Sequence, residues 1–193
     1  MKLLHLDSSI MGEGSASRAI SAAIVEQFRK TDPNLDVVYR DLVAEPIPHL
    51  TLDAFLKLDE GEDVQQFLDA DVVVIGAGFY NFSIPGQLKA WIDRIAVKGK
   101  TFTYGESGPV GLATGKRVIV ALARGNVYGV GSPYAAYEHA ETLLRSLFGF
   151  VGADVEVIVA EGLGRGEDVR LAAIEGAIAQ ARQLPQSSLA AAA

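Results

Sequence analysis

Cysteine is absent from this chain. That removes disulfides, thiolate nucleophiles and cysteine-ligated metals, and it fits a reducing compartment. A basic excess is lacking too. Lys and Arg number 17 against 24 Asp and Glu, for a net charge of −7, which argues against a general nucleic-acid binder and favours solubility. No apolar run approaches the ~18–20 residues of a membrane span. The opening Met1-Lys2-Leu3-Leu4-His5-Leu6-Asp7 is too short for a signal peptide and reads as a first strand, so the expected location is cytoplasmic. Histidine is scarce. His5, His49 and His139 lack metal-ligand spacing, no metal site is expected, and no Ser-His-Asp pattern has local support. The pairs Asp59-Glu60 and Glu62-Asp63 read as a solvated turn.

What is present is a regular alternation of apolar runs and amphipathic stretches. At 193 residues the chain is long enough for one α/β domain with a full core. Strands are expected over 2–6, 36–40, 72–77, 117–123 and 155–160. Helices are expected over 15–30, 86–97, 134–151 and 168–184, with weaker helical sequence at 52–58 and 63–68. Residues 98–115 and 124–133 read as long glycine-rich loops, of a length that is usually functional or disordered. Strands alternating with helices imply a parallel sheet covered on both faces. Five strands favour an α/β, flavodoxin-like three-layer sandwich with strand order 2-1-3-4-5. The expected domain is 1–185, with 186–193 as a flexible tail. In that order a ligand sits outside the carboxyl ends of the strands, at the switch point between strands one and three.

Three loops lie at those ends. The first, after strand one, holds Ser8, Ser9, Gly12, Gly14, Ser15, Ala16 and Ser17 and opens a helix. Backbone N–H groups at a helix N-terminus attract an anion, and serine hydroxyls add donors. The plainer alternative is a loop with a serine cap. Arg18 adds charge there or points away. Gly12-Glu13-Gly14 suggests a dinucleotide fingerprint with Asp41 as the ribose carboxylate. However, Ser17 stands where the third glycine belongs, and the glycines do not follow the strand directly. Gly111-Leu112-Ala113-Thr114-Gly115-Lys116-Arg117 precedes a strand and is not a phosphate-binding P-loop.

The second loop follows Val72-Val73-Val74-Ile75-Gly76-Ala77-Gly78, a run that reads as a buried strand. A core does not need the Phe79-Tyr80-Asn81-Phe82 that comes next, but a flat aromatic ligand does. Asn81 can donate to and accept from the polar edge of an isoalloxazine. Packing of these aromatics into the core or a dimer interface is the plain alternative. The third loop, Ala123-Arg124-Gly125-Asn126, offers N–H groups and a cation to the same edge, where positive charge would favour an anionic reduced flavin. A solvated Arg124 is its alternative.

These residues together resemble the FMN-dependent NADH azoreductases, also described as NADH:quinone oxidoreductases. The match runs through Ser8-Ser9, Ser15-Ala16-Ser17, Tyr80-Asn81-Phe82, Leu88-Lys89, Asp93, Thr101-Phe102-Thr103-Tyr104, Gly108-Pro109, Arg124-Gly125, Phe148-Gly149-Phe150 and Ala160-Glu161-Gly162. The resemblance implies non-covalent FMN near the interface of a homodimer, with NADH as electron donor. It implies ping-pong reduction of quinones and azo compounds, with no nucleic acid or membrane partner. By position Ser9, Ser15, Ala16 and Ser17 would meet the phosphate. Phe79, Tyr80, Asn81 and Phe82 would line the ring, and Ala123, Arg124, Gly125 and Asn126 would meet its pyrimidine edge. The flavin performs the chemistry, so no protein acid or base is assigned; Tyr104 and Phe82 are candidates to shape the substrate pocket. The chain departs from the family pattern at Asn126, a usual glycine, at Gly78-Phe79, at Ala16 and Ala123, and in a short 51–71 segment. A flavodoxin-type electron carrier, a scaffold without flavin and an FAD-dependent quinone reductase remain the alternatives.

Overall fold

A computed structural model describes residues 1–185; the tail expected at 186–193 lies outside them. The apolar runs become strands and the amphipathic stretches become helices, in the order β1 Lys2–Asp7, α1 Ala16–Thr31, β2 Asp36–Asp41, α2 Leu52–Phe55, α3 Glu62–Asp69, β3 Val72–Gly78, α4 Gly86–Ile95, β4 Phe102–Gly105, β5 Gly108–Gly111, β6 Arg117–Ala123, α5 Ala140–Phe150, β7 Asp154–Ala160 and α6 Glu167–Ala181. Five parallel strands form one sheet in the order β2-β1-β3-β6-β7. This is the flavodoxin-like order expected from the sequence.

Period-two alternation sends successive side chains of a strand to opposite faces. Val73 and Ile75 join Leu4, Phe67, Leu88, Trp91 and Phe148 on the face covered by α3, α4 and α5. Val72 and Val74 join Leu3, Ile20, Ile24, Phe28 and Ala177 on the face covered by α1 and α6. Every residue of β3 is buried, because that strand has neighbours on both edges and helices on both faces. Burying one such large apolar side chain stabilises the fold by roughly 1.5–3 kcal/mol.

Three expectations are corrected. The glycine-rich loop at 98–115 contains the antiparallel hairpin β4–β5. Its turn is closed by Gly108, at φ 121°, and Gly111 packs so closely on residues 151 and 152 that no Cβ would fit. The helix expected from 134 begins at Ala140. Glu138 sets that start, because its carboxylate accepts the Ala140, Glu141 and Thr142 N–H groups. A separate single turn covers 135–137. The helix expected to reach 97 stops at Ile95, where the buried Thr101 hydroxyl donates to the Ile95 carbonyl and accepts the Val97 N–H.

Candidate functional site

The loop after β1 is fixed at its start by the Ser8 hydroxyl, which donates to the Gly76 carbonyl at 2.8 Å. Gly12 and Gly14 belong to one short helical turn, so they do not form the strand–turn–helix of a dinucleotide fingerprint. Ser15 caps α1 by accepting the Arg18 N–H, and its Oγ lies 3.1 Å from that of Ser17. Both serines are buried. A hydroxyl pair at the positive end of a helix is suited to an anion.

Arg18 turns away from that pair. It donates to both carboxylate oxygens of Asp41, at 2.8 and 2.7 Å, and through Nε and Nη2 to the Ser9 carbonyl. Arg18 thereby holds the Asp41 carboxyl below the usual carboxylate range. Asp41 is engaged with protein and is not a free ribose carboxylate. Beneath this clip the buried Asp7 accepts from the hydroxyls of Ser21 and Tyr39. Burial, followed by the nearby Asp7 and Asp41 charges, raises the Tyr39 phenol.

The loop after β3 meets the first loop through Tyr80. Its hydroxyl lies 3.0 Å from Ser9 Oγ and accepts the Ile10 N–H. The Tyr80 ring lies over Gly78, where a Cβ would come within 2.8 Å of it. The chain then reverses in a two-residue turn, with reciprocal Tyr80–Ser83 backbone bonds of 2.9 and 3.1 Å. Both central residues have positive φ, Asn81 at 48° and Phe82 at 72°, as in a type I′ turn. Asparagine tolerates that region; phenylalanine there is strained. Phe82 is 45% exposed, with its ring 5.1 Å from that of Tyr137. Tyr104 is also exposed, on the hairpin beside Phe102.

The loop after β6 is zipped to the loop after β7. The Leu163, Gly164 and Gly162 N–H groups donate to the Arg124, Gly125 and Asn126 carbonyls. Arg124 is 2% exposed, and its side chain points into an acidic nest. Glu141 lies at 2.8 Å, Glu138 at 3.2 Å and Glu161 at 3.4 Å. The cation expected at the ligand's edge is therefore neutralised inside the protein, and the solvated alternative fails as well. Asn126 fills its non-glycine position by accepting from Arg165 Nε at 3.0 Å.

Where these loops meet, a cavity of about 260 Å³ opens beyond the carboxyl ends of β1 and β3. Of the residues singled out in the sequence, Ser9, Ser15, Ala16, Ser17, Phe79, Tyr80, Ala123 and Gly125 line it. Asn81, Phe82, Arg124 and Asn126 do not, and Tyr104 lies apart on the hairpin. The lining also includes Met11, Gly14, Gly78, Leu163, Gly164 and Arg170. Leu163 and Gly164 come from the loop after β7, and Arg170 from the start of α6. The signal for them was only that a fourth loop ends at the same side of the sheet. The serines and the α1 N-terminus make one pole of the cavity anion-seeking. Phe79, Tyr80 and the glycine backbone make the rest flat and apolar. Such a cavity suits an elongated molecule with an anionic end and a planar ring. Among the described residues no group of three or more His, Cys, Asp or Glu is placed to hold a metal. No helix there is long and apolar enough to cross a membrane.

A family model described as Flavodoxin-like fold matches residues 1–184. An FMN-dependent NADH:quinone oxidoreductase of Gluconacetobacter diazotrophicus is 55% identical over 193 aligned residues, covering 92% of this chain and 96% of its own. Among solved structures, an azoreductase from Bacillus anthracis str. Sterne is similar with a TM-score of 0.83 at 31% identity, covering 95% of this chain and 100% of its own. An FMN-dependent NADH-azoreductase from Bacillus anthracis str. Ames Ancestor, in complex with FMN, gives a TM-score of 0.81 at 26% identity, covering 93% and 97%.

Proposed function

Because this chain belongs to the flavodoxin-like fold family of these relatives, we propose that it is an FMN-dependent oxidoreductase that takes electrons from NADH and passes them in pairs to quinones and aromatic azo compounds. The observation that carries the reading is the two-poled cavity at the β1/β3 crevice, the place where a sheet of this order binds its ligand. Its donors and shape fit FMN. Ser15 and Ser17 would hold the phosphate at the α1 N-terminus, and Ser9, fixed by Tyr80, would close that end. Phe79 and Tyr80 would flank the ring. The Ala123–Gly125 backbone would face its polar edge, and Asn81 would shape the turn beside the ring.

When bound, FMN supplies the electron transfer between nicotinamide donor and aromatic acceptor. The protein's part is to bind, orient and exclude water. The cavity of about 260 Å³ is just below the ~300–1,000 Å³ of enclosed ligand pockets. The ring would therefore reach toward open surface, on the side of the turn that carries the exposed Phe82 after Tyr80. A single open face favours sequential use by donor and then acceptor, which is a ping-pong order. It also favours a homodimer whose second copy covers the ring.

Reconstitution tests this directly. Protein mixed with FMN and desalted should keep flavin absorbance, lose it on anaerobic addition of NADH and regain it with a quinone. Flavin that stays bound but oxidised in NADH would point to a carrier instead. Failure to retain FMN would remove the proposed site.

A further inference from the structure

Two arginines reach the neighbourhood of the serine loop, and only one is committed. Arg18, the nearer in sequence, is neutralised by Asp41. Arg170 arrives from the second turn of α6, 156 residues from its hydrogen-bond partner, the Gly14 carbonyl. That is the one hydrogen bond of its guanidinium among the described residues, which also place no carboxylate within ion-pair distance of it. A guanidinium carries five donors, so most of its capacity is unspent. Among the described residues Arg170 is also the one charged residue lining the cavity it shares with Ser9, Ser15 and Ser17.

An uncommitted cation is informative in a chain with a net charge of −7. A phosphate monoester carries close to two negative charges at neutral pH. Hydroxyls and a helix terminus offer it only partial charges. We propose that Arg170 supplies the counter-charge for the phosphate of FMN, so that α6 joins the β1–α1 loop in holding it. This inference rests on the FMN reading above and adds to it a binding residue outside the serine loop. The bond to the Gly14 carbonyl, directly before the Ser15 cap, holds the guanidinium at that end of the cavity in advance.

The test compares FMN with riboflavin, which differs only by the phosphate. Flavin-free protein is titrated with each, and binding is read from the flavin fluorescence, at low and high salt. Replacing Arg170 by Met should weaken FMN binding about 10- to 100-fold, the usual size of a lost charge-assisted hydrogen bond. Riboflavin binding should not change, and the salt dependence of FMN binding should flatten. Arg170→Lys should recover part of the FMN affinity, and circular dichroism should show both variants folded. Unchanged FMN affinity in Arg170→Met would overturn the inference alone. So would an equal loss for both flavins, because the Gly14 clip would then be the whole role of the side chain. Wild-type protein that binds neither flavin would overturn the functional reading along with it.

Discussion

Ser15 serves the fold and the cavity together, and substitutions can separate the two. Its hydroxyl caps α1, and Asp caps as well as Ser does. Ser15→Asp should therefore leave the denaturation midpoint near that of wild type while like-charge repulsion weakens FMN binding at least 10-fold in equilibrium titration. Ser15→Ala should instead cost about 1 kcal/mol of stability. If Ser15→Asp keeps FMN as tightly as wild type, the phosphate assignment is wrong. Phe82 poses the opposite case. A positive φ at 72° costs a non-glycine residue roughly 1–2 kcal/mol, and the ring contact with Tyr137 returns about 0.5–1.5 kcal/mol. The two terms nearly cancel. Phe82→Gly, which creates the favoured Asn-Gly turn, should thus shift the urea midpoint little. FMN affinity should hold while KM for the quinone rises; an unchanged KM would remove Phe82 from the acceptor's surroundings.

Between elements, the Arg18–Asp41 clip joins the β1–α1 loop to the end of β2. Arg18 reaches the Ser9 carbonyl and Asp41 with the same guanidinium. Breaking it should let the loop move and speed FMN release, read in stopped-flow for Arg18→Met. The carboxyl of Asp41 is held low by Arg18, so the unfolded chain takes up its proton first as pH falls. The stabilisation is complete above the ordinary Asp value near 4 and fades as pH drops through the lowered folded value. Acid-unfolding curves of wild type and Asp41→Asn should accordingly diverge above about pH 4 and converge below it; parallel curves at every pH would deny the pair any linked stability. The hairpin β4–β5 has its own test. A Cβ at Gly111 would lie 2.3 Å from the Gly152 nitrogen, so Gly111→Ala should cost about 1–3 kcal/mol by overcrowding in chemical denaturation.

For the molecule as a whole, strand order decides where chemistry takes place. β1 sits between β2 and β3, the connection leaving β1 runs to β2 on one side and that leaving β3 to β6 on the other, and the cavity forms where they part. The open side of that cavity, with the exposed Phe82 on the adjoining turn, underlies the proposed dimer and the shared donor and acceptor face. Sedimentation at micromolar concentration should give twice the chain mass. Initial rates with NADH and a quinone varied together should give parallel double-reciprocal lines. A monomer that turns over at full rate would remove the dimer from the proposal, and intersecting lines would remove the ping-pong order.

The β-branched run at 72–75, the stripe of Ile20, Ile24 and Phe28, and the serines that open α1 could all be read in one dimension. Each depends on neighbours within about two turns of helix or one strand. Element type, strand order and most of the cavity's serine, aromatic and glycine lining follow from such short-range patterns, together with the handedness of parallel connections. Charge did not follow. Arg124 reads as a cation for a ligand, yet Glu138 and Glu141 around the start of α5 and Glu161 just after β7 take it. Arg170 stands in a helix with no motif around it, yet it lines the cavity beside Gly14. The hairpin hidden in a glycine-rich stretch depends on Gly111 meeting residue 152. A hydrophobic pattern repeats along the chain because a strand or helix is periodic. A long charged side chain goes to whatever partner the packed elements bring within reach, and that partner can lie anywhere in the sequence.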